Sequence, residues 1–178
     1  MFSASRRHLL TASGAAVAGS LPIGSSAAAT SISDAEVAAL VRDLDSGRQA
    51  WISGHLETSA TTMMAQDDDM TIFGPFGGEA GRGNATLVPI QTRAAAAFHG
   101  GTGACEVIKV MRDGDLLVIA MIERNSVMFE GRADPQPWIV RTTQVFRRDK
   151  AGHWLRLHRH ADPLIRRRDL ADTLALLK

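Results

Sequence analysis

Apolar residues recur at helical spacing in the first half of the chain and at strand spacing in the second, and this change of period organises the molecule. In "DAEVAALVRDLDSGRQAW", Val37, Leu40, Val41, Leu44 and Trp51 share one face at steps of three, four and seven. Ser33, with Glu36 three positions on, forms a capping box that starts this helix. Gly47 costs about 1 kcal/mol relative to alanine and marks an expected local break, while Gly54 is a natural stop. Leu56, Ala60, Met63 and Met64 predict a second, short helix with its methionines in the core. Met70 to Phe73 reads as a short strand, and "GPFGGEAGRG" after it, with five glycines in ten residues, reads as a loop with tight turns. That loop matches neither the P-loop pattern nor G-x-G-x-x-G opening a helix, so a phosphate cradle is not indicated. "NATLVPIQTRAAAAFHGG" predicts a helix entered near Pro89 and ended by Gly100 and Gly101, with Ile90, Ala94 and Phe98 on one side.

Beyond Gly101 the period falls to two. "ACEVIKVM", an Asp-Gly turn and "LLVIAMIERNSVMF" form one hairpin; "WIVRTTQVFRRDKAGHWLRLHRHA" forms another, turning around Lys150 to Gly152. "RDLADTLALLK" closes the chain with a helix carrying Leu170, Leu174 and Leu177 on one side. Helices, a short strand, a further helix and then an antiparallel meander make an α+β arrangement in which a curved sheet wraps around helices.

This order, with "MTIFGPFGG", "VRTTQVFRRD" and "HWLRLHRHADP", resembles the nuclear transport factor 2-like superfamily, which includes SnoaL-like polyketide cyclases and ketosteroid isomerases. The resemblance spans roughly Asp34 to Pro163. It implies a curved antiparallel sheet forming a cone-shaped half-barrel wrapped around N-terminal helices. Ketosteroid isomerase chemistry does not carry over with it. The position of the proton-shuttling aspartate is Gly74, the chain has no tyrosine for the oxyanion site, and the second acid is replaced by Thr143 or Gln144, depending on the hairpin alignment.

The N-terminus changes the picture of the compartment. "SRRHLL" precedes "LLTASGAAVAGSLPIG" and the small residues "SSAAAT", which resembles a twin-arginine export signal. A membrane span needs about 20 strongly apolar residues, and this stretch is diluted by Thr11, Ser13, Gly14, Gly19, Ser20 and Pro22. The expectation is a cleaved signal at 1–29, a single SnoaL-like domain at 30–178, and a periplasmic or secreted product with no membrane attachment after cleavage. The whole chain holds 20 Lys and Arg against 19 Asp and Glu, and the leader contributes Arg6 and Arg7 but no acid, so the mature chain is slightly acidic. Nucleic acid is therefore not an expected partner. The lone Cys105 excludes an internal disulfide and is expected to be an inert buried thiol.

Strand alternation then proposes a site. Ile119, Met121 and Glu123 share one face of their strand, and Ile139, Arg141, Thr143 and Val145 share one face of the next. If both faces look into the cone, Glu123 and Arg141 meet in a mostly apolar cavity, with Met121, Thr143, Trp51 and Phe73 as further lining; otherwise they are a structural ion pair or two solvated side chains. In "HWLRLHRHADP" Trp154, Arg156, His158, His160 and Asp162 share one face, and Leu155, Leu157, Arg159 and Ala161 the other. His158, His160 and Asp162 admit three readings: metal ligands, pocket groups, or a structural or interface element, the last being what the resemblance implies. Parallel neighbours on one strand give at most a partial ligand set, so no structural metal is expected, and no cofactor motif is present. His55 and His99 flank glycines at predicted helix ends, where a histidine is commonly just a helix-dipole partner, and neither is assigned a role.

These observations lead to an exported protein that binds a small, mostly apolar metabolite in its cone cavity. The alternative is an isomerase, dehydratase or hydrolase using Glu123 or a histidine as acid or base. An apolar outer sheet face carrying Val118, Ala120, Ile122 and Val140 predicts a homodimer through the sheet.

Overall fold

The computed structural model describes residues 31–55 and 70–176. The expected signal peptide, the second helix at Leu56 to Met64, and Leu177 lie outside the described residues. The elements run α1 (Asp34–Ile52), β1 (Thr71–Phe73), β2 (Gly81–Arg82), α2 (Asn84–Ala95), β3 (Phe98–Asp113), β4 (Leu116–Phe129), β5 (Gln136–Arg148), β6 (Trp154–Pro163) and α3 (Leu170–Ala175). The strands form one six-stranded sheet in the order β2-β1-β6-β5-β4-β3. It is mixed, because β1 runs parallel to β6 while the other pairs are antiparallel. The sheet is curved and unclosed, with α1 against its inner face, which is the α+β cone arrangement expected.

The capping box forms as read: the Ser33 hydroxyl accepts from the Glu36 N–H at 3.3 Å, and the Ser33 N–H donates to the Glu36 carboxylate at 2.7 Å. That carboxylate also accepts from Arg148 at 2.8 Å, which ties the start of α1 to the end of β5. The capping bonds and Arg148 hold the Glu36 carboxyl below its ordinary pKa. The helix passes Gly47 without the expected break. Its buried stripe is Val37, Leu40, Leu44, Arg48 and Ile52, and the apolar members pack against two parts of the sheet. Leu40 and Leu44 meet Leu117, Ile119, Met121 and Phe146, whereas Ile52 joins Phe98 and Val127.

Two boundaries differ from the expectation. The helix α2 begins at Asn84, because the Gly83 carbonyl already accepts from the Leu87 N–H at 3.0 Å; Pro89 therefore lies inside the helix. Gly100 and Gly101 do not stop a helix but belong to β3, which starts at Phe98. At Gly101 the backbone has φ 151°, and a Cβ there would lie 2.9 Å from the Val127 Cα, so glycine lets β3 approach β4 closely.

Alternation on β4 buries Leu117, Ile119, Met121, Glu123, Asn125 and Val127. Cross-strand partners share a face, so the inner face of β5 is Val140, Thr142, Gln144 and Phe146. This reverses the phase read from the sequence: Arg141 and Thr143 look outward, and Val140 looks into the core. Both faces of β5 carry apolar residues, so its pattern alone does not choose between them, and the packing of β4 on α1 does.

Arg48 locks α1 to the sheet through polar bonds. It donates to Asp45 at 2.7 Å, to the Gly103 carbonyl at 3.0 Å and to the Asn125 side-chain oxygen. Asn125 in turn donates to the Trp138 carbonyl at 3.0 Å. A Cβ at Gly103 would lie 2.7 Å from the Arg48 guanidinium and would overlap Asn125 and the Arg124 carbonyl. Gly103→Ala is therefore expected to cost about 2–3 kcal/mol in urea denaturation. Gly74→Ala, whose Cβ would meet nothing within 4 Å, should stay within about 1 kcal/mol of the parent.

Candidate functional site

A cavity of about 830 Å³ lies between α1, α2, the glycine-rich loop after β1 and the inner face of the sheet. Its walls are apolar and aromatic: Leu40, Leu44 and Trp51 from α1, Ile72 and Phe76 around the loop, Leu87 and Ile90 from α2, and Trp138 from β5. Exposed Phe76 packs against Trp138 with the rings tilted and their centres 5.3 Å apart. Beside the polar residues that α1, α2 and the loops contribute, among them Glu36, Asp43, Arg48, Glu79, Gln91 and His153, a polar cluster lies where β4, β5 and β6 meet. Glu123, Gln144, Arg156 and Arg159 line that part of the cavity together with Met121, Cys105 and Trp154.

Glu123 is buried, and one terminal nitrogen of Arg159 donates to both of its carboxylate oxygens at 3.0 Å. Arg159 reaches it because Gln144, its partner on β5, sits opposite Ile119 on the inner face. Arg156 enters the same cavity for a different reason. Pairing steps from Val145–His158 to Phe146–Arg156, leaving Leu157 without an opposite residue, and this bulge turns residues three apart to one side. The Arg156 guanidinium lies over the Phe146 ring at 5.9 Å, and its Nε is buried with no hydrogen-bond partner. Burial and then the neighbouring Arg159 push its pKa down to about 10, with Glu123 acting in the opposite direction. It therefore remains a cation at neutral pH.

Two neighbouring groups are also unsatisfied. The Gln144 amide donates only to the Met121 sulfur, at 3.7 Å, and neither its Oε1 nor the Thr142 hydroxyl has a partner. Cys105 stands opposite Glu123, and its thiol is pushed up to about 12, first by burial and then by that carboxylate. A thiol so held stays protonated and is a poor nucleophile.

Of the residues chosen from the sequence, Glu123, Met121 and Trp51 line the cavity, and Arg141, Thr143 and Phe73 do not. Arg141 pairs with Asp162 on the outer face, so it is not the partner of Glu123. Phe73 is turned outward as well, edge-on to His158 and His160 at 5.7 and 5.5 Å. The Nδ1 of His158 is 2.7 Å from the Thr71 hydroxyl, and burial followed by the proximity of His160 lowers the pKa of its ring. His158, His160 and Asp162 thus serve contacts between β1, β6 and β5 and do not converge. Arg159 was signalled in the sequence as the single charge on the otherwise apolar set Leu155, Leu157, Arg159 and Ala161. Arg156 had no such signal, since a bulge moves it across faces.

The Glu123–Arg159 pair is expected to behave as a buried unit. Arg159→Met strands the carboxylate and should cost about 3 kcal/mol in chemical denaturation, whereas Glu123→Gln combined with Arg159→Met should cost clearly less, because no charge is left unpaired. Equal small losses in both would mean that the pair is solvated.

No protein-family model matches the chain, and no curated protein matches it by sequence. Solved structures do. A ketosteroid isomerase-like protein from Erwinia carotovora atroseptica is similar with a TM-score of 0.58 at 17% identity, over 74% of this chain and 94% of that one. A nuclear transport factor 2-like superfamily protein from Salmonella enterica gives 0.58 at 13% identity, over 73% and 94%. The CaMKII hub homology domain of Chlamydomonas reinhardtii gives 0.56 at 22%, over 74% and 99%. The chain has the cone fold of the nuclear transport factor 2-like and ketosteroid isomerase-like proteins.

Proposed function

We propose that this is an exported SnoaL-like cone protein that binds a small, mostly apolar molecule in the cavity between α1, α2 and the inner sheet face. The observation that carries the reading is a cavity of about 830 Å³, within the usual size range of ligand sites, with apolar and aromatic walls and a polar cluster where β4, β5 and β6 meet. Binding is favoured over catalysis by the state of Glu123. Its carboxylate is committed to an ion pair with Arg159, which touches both oxygens at 3.0 Å. Of the histidines, His158 and His160 do not line the cavity, and His153, which does, is exposed and sits 3.5 Å from Asp149.

Export is proposed from Arg6 and Arg7 ahead of a weakly apolar stretch; no helix among the described residues is long and apolar enough to cross a membrane. A homodimer through the outer sheet face is proposed from half-buried Val118, Ala120 and Ile122 together with exposed Met111, with Ile139 taking the place first given to Val140. The hub homology domain among the similar structures supports an assembling surface on this fold.

Three measurements test these readings. Native mass spectrometry of protein purified from its own cells should reveal a co-purified small organic molecule, and extraction should identify it. A ligand-free protein that instead turns over substrates, and loses turnover in Glu123→Gln, would favour the isomerase, dehydratase or hydrolase alternative. Mass spectrometry of the periplasmic fraction should give an N-terminus at or near Thr30, and an intact Met1 there would contradict export by cleavage. Light scattering should give a dimer mass at micromolar concentration, against which a strict monomer over a hundredfold dilution would count.

A further inference from the structure

At the end of the cavity where β4, β5 and β6 meet, one cation has no counter-ion among the described residues. There Arg156 and Arg159 stand beside one carboxylate, Glu123, which Arg159 already holds, while the other charged groups of the lining, Arg48 with Glu36 and Asp43 on α1 and Glu79 on the loop, come from other elements. Among the described residues no carboxylate pairs with Arg156, and its Nε is shut away from solvent without an acceptor. A largely desolvated cation without a counter-ion is costly to keep, and an apolar residue at Arg156 is expected to leave the fold more stable. This end of the cavity is short of one negative charge.

We propose that the bound molecule supplies that charge: the ligand is an amphipathic carboxylic acid whose carboxylate docks on Arg156 while its apolar body lies against Leu40, Leu44, Trp51 and Trp138. The inference rests on the cavity being the binding site and names the chemical class it selects. A monoanion matches the deficit of one charge. The planar guanidinium presents donors in the fork geometry that a carboxylate accepts. Gln144, whose Oε1 has no donor, sits on the strand between Glu123 and Arg159 and offers a hydrogen-bond acceptor to a ligand hydroxyl or amide near the acid group.

The chain carries its own reporters, since all three of its tryptophans, Trp51, Trp138 and Trp154, line the cavity. Tryptophan fluorescence titrations with octanoate, octanamide, octan-1-ol and octyl phosphate separate the possibilities. Octanoate should bind about tenfold or more tightly than the amide and the alcohol, the range expected of a charge-assisted hydrogen bond. Arg156→Met should erase that preference without weakening octan-1-ol. In the absence of ligand the same variant should melt at a higher temperature than the parent, which distinguishes a binding cation from a structural one. Equal binding of octanoate and octan-1-ol would overturn the acid assignment while leaving the cavity as the binding site. Tighter binding of octyl phosphate would overturn the carboxylate class. If none of the four perturbs the tryptophans, both the inference and the cavity reading fail. A lower melting temperature for Arg156→Met would show that the guanidinium is held for the fold and not for a ligand.

Discussion

The packing of the α1 stripe on β4 decides which face of the sheet is the inside, and everything polar in the cavity follows from it. Leu40 and Leu44 are apolar and buried, and β4 offers them Leu117, Ile119 and Met121 at alternate positions. With that contact made, the pleat commits Glu123 and Asn125 to the interior whatever their own preference, and the ladder commits Thr142, Gln144 and Arg159 on the strands beyond. A register one residue out would bury Arg141 and Arg147 and expose Phe146. Arg48 adds a polar lock at the other end of the helix, where its bonds to Gly103 and Asn125 leave no room for a side chain on the facing strand.

The interior polar groups then divide into those satisfied by the fold and those left for something else. Asn125 is satisfied by Arg48 and the Trp138 carbonyl, and Glu123 by Arg159. Arg156, Gln144 and Thr142 each keep an unpaired atom. Native interiors seldom leave such groups unpaired, and two of these three residues line the same cavity. The bulge at Leu157 is the device that makes this possible, because a regular strand would have put Arg156 and Arg159 on opposite faces. Stability is thereby spent at one place, as is common where a protein keeps a site ready for a partner.

Much of the architecture was legible because it rests on periodicity and chain punctuation. The capping box at Ser33, the two hairpins and the inward face of β4 are local patterns, and the structure reproduces them. What escaped depends on contacts distant in sequence. Residues on both faces of β5 are apolar enough to be core, so the pattern alone allows Arg141 inside, and only its pairing with Asp162 on β6 fixes it on the outer face. The glycines at 100 and 101 look like a helix stop in one dimension, yet in three they are where two strand backbones approach. The histidines of β6 stand out by their chemistry, while Arg156 and Arg159 beside them, which face the cavity, look in the sequence like ordinary surface charges.

The central claim is that Arg156 and the Glu123–Arg159 pair face one cavity and that Arg141 lies outside it. A crystal structure of the protein with a bromine-labelled medium-chain carboxylic acid tests it most directly, because the anomalous signal locates the ligand independently of how the side chains are built. The account predicts a bromine peak among Leu44, Trp51 and Trp138, the acid group on Arg156, Glu123 still held by Arg159, and Arg141 on Asp162. A ligand bound on the outer sheet face, or Glu123 paired with Arg141 inside the cone, would contradict it.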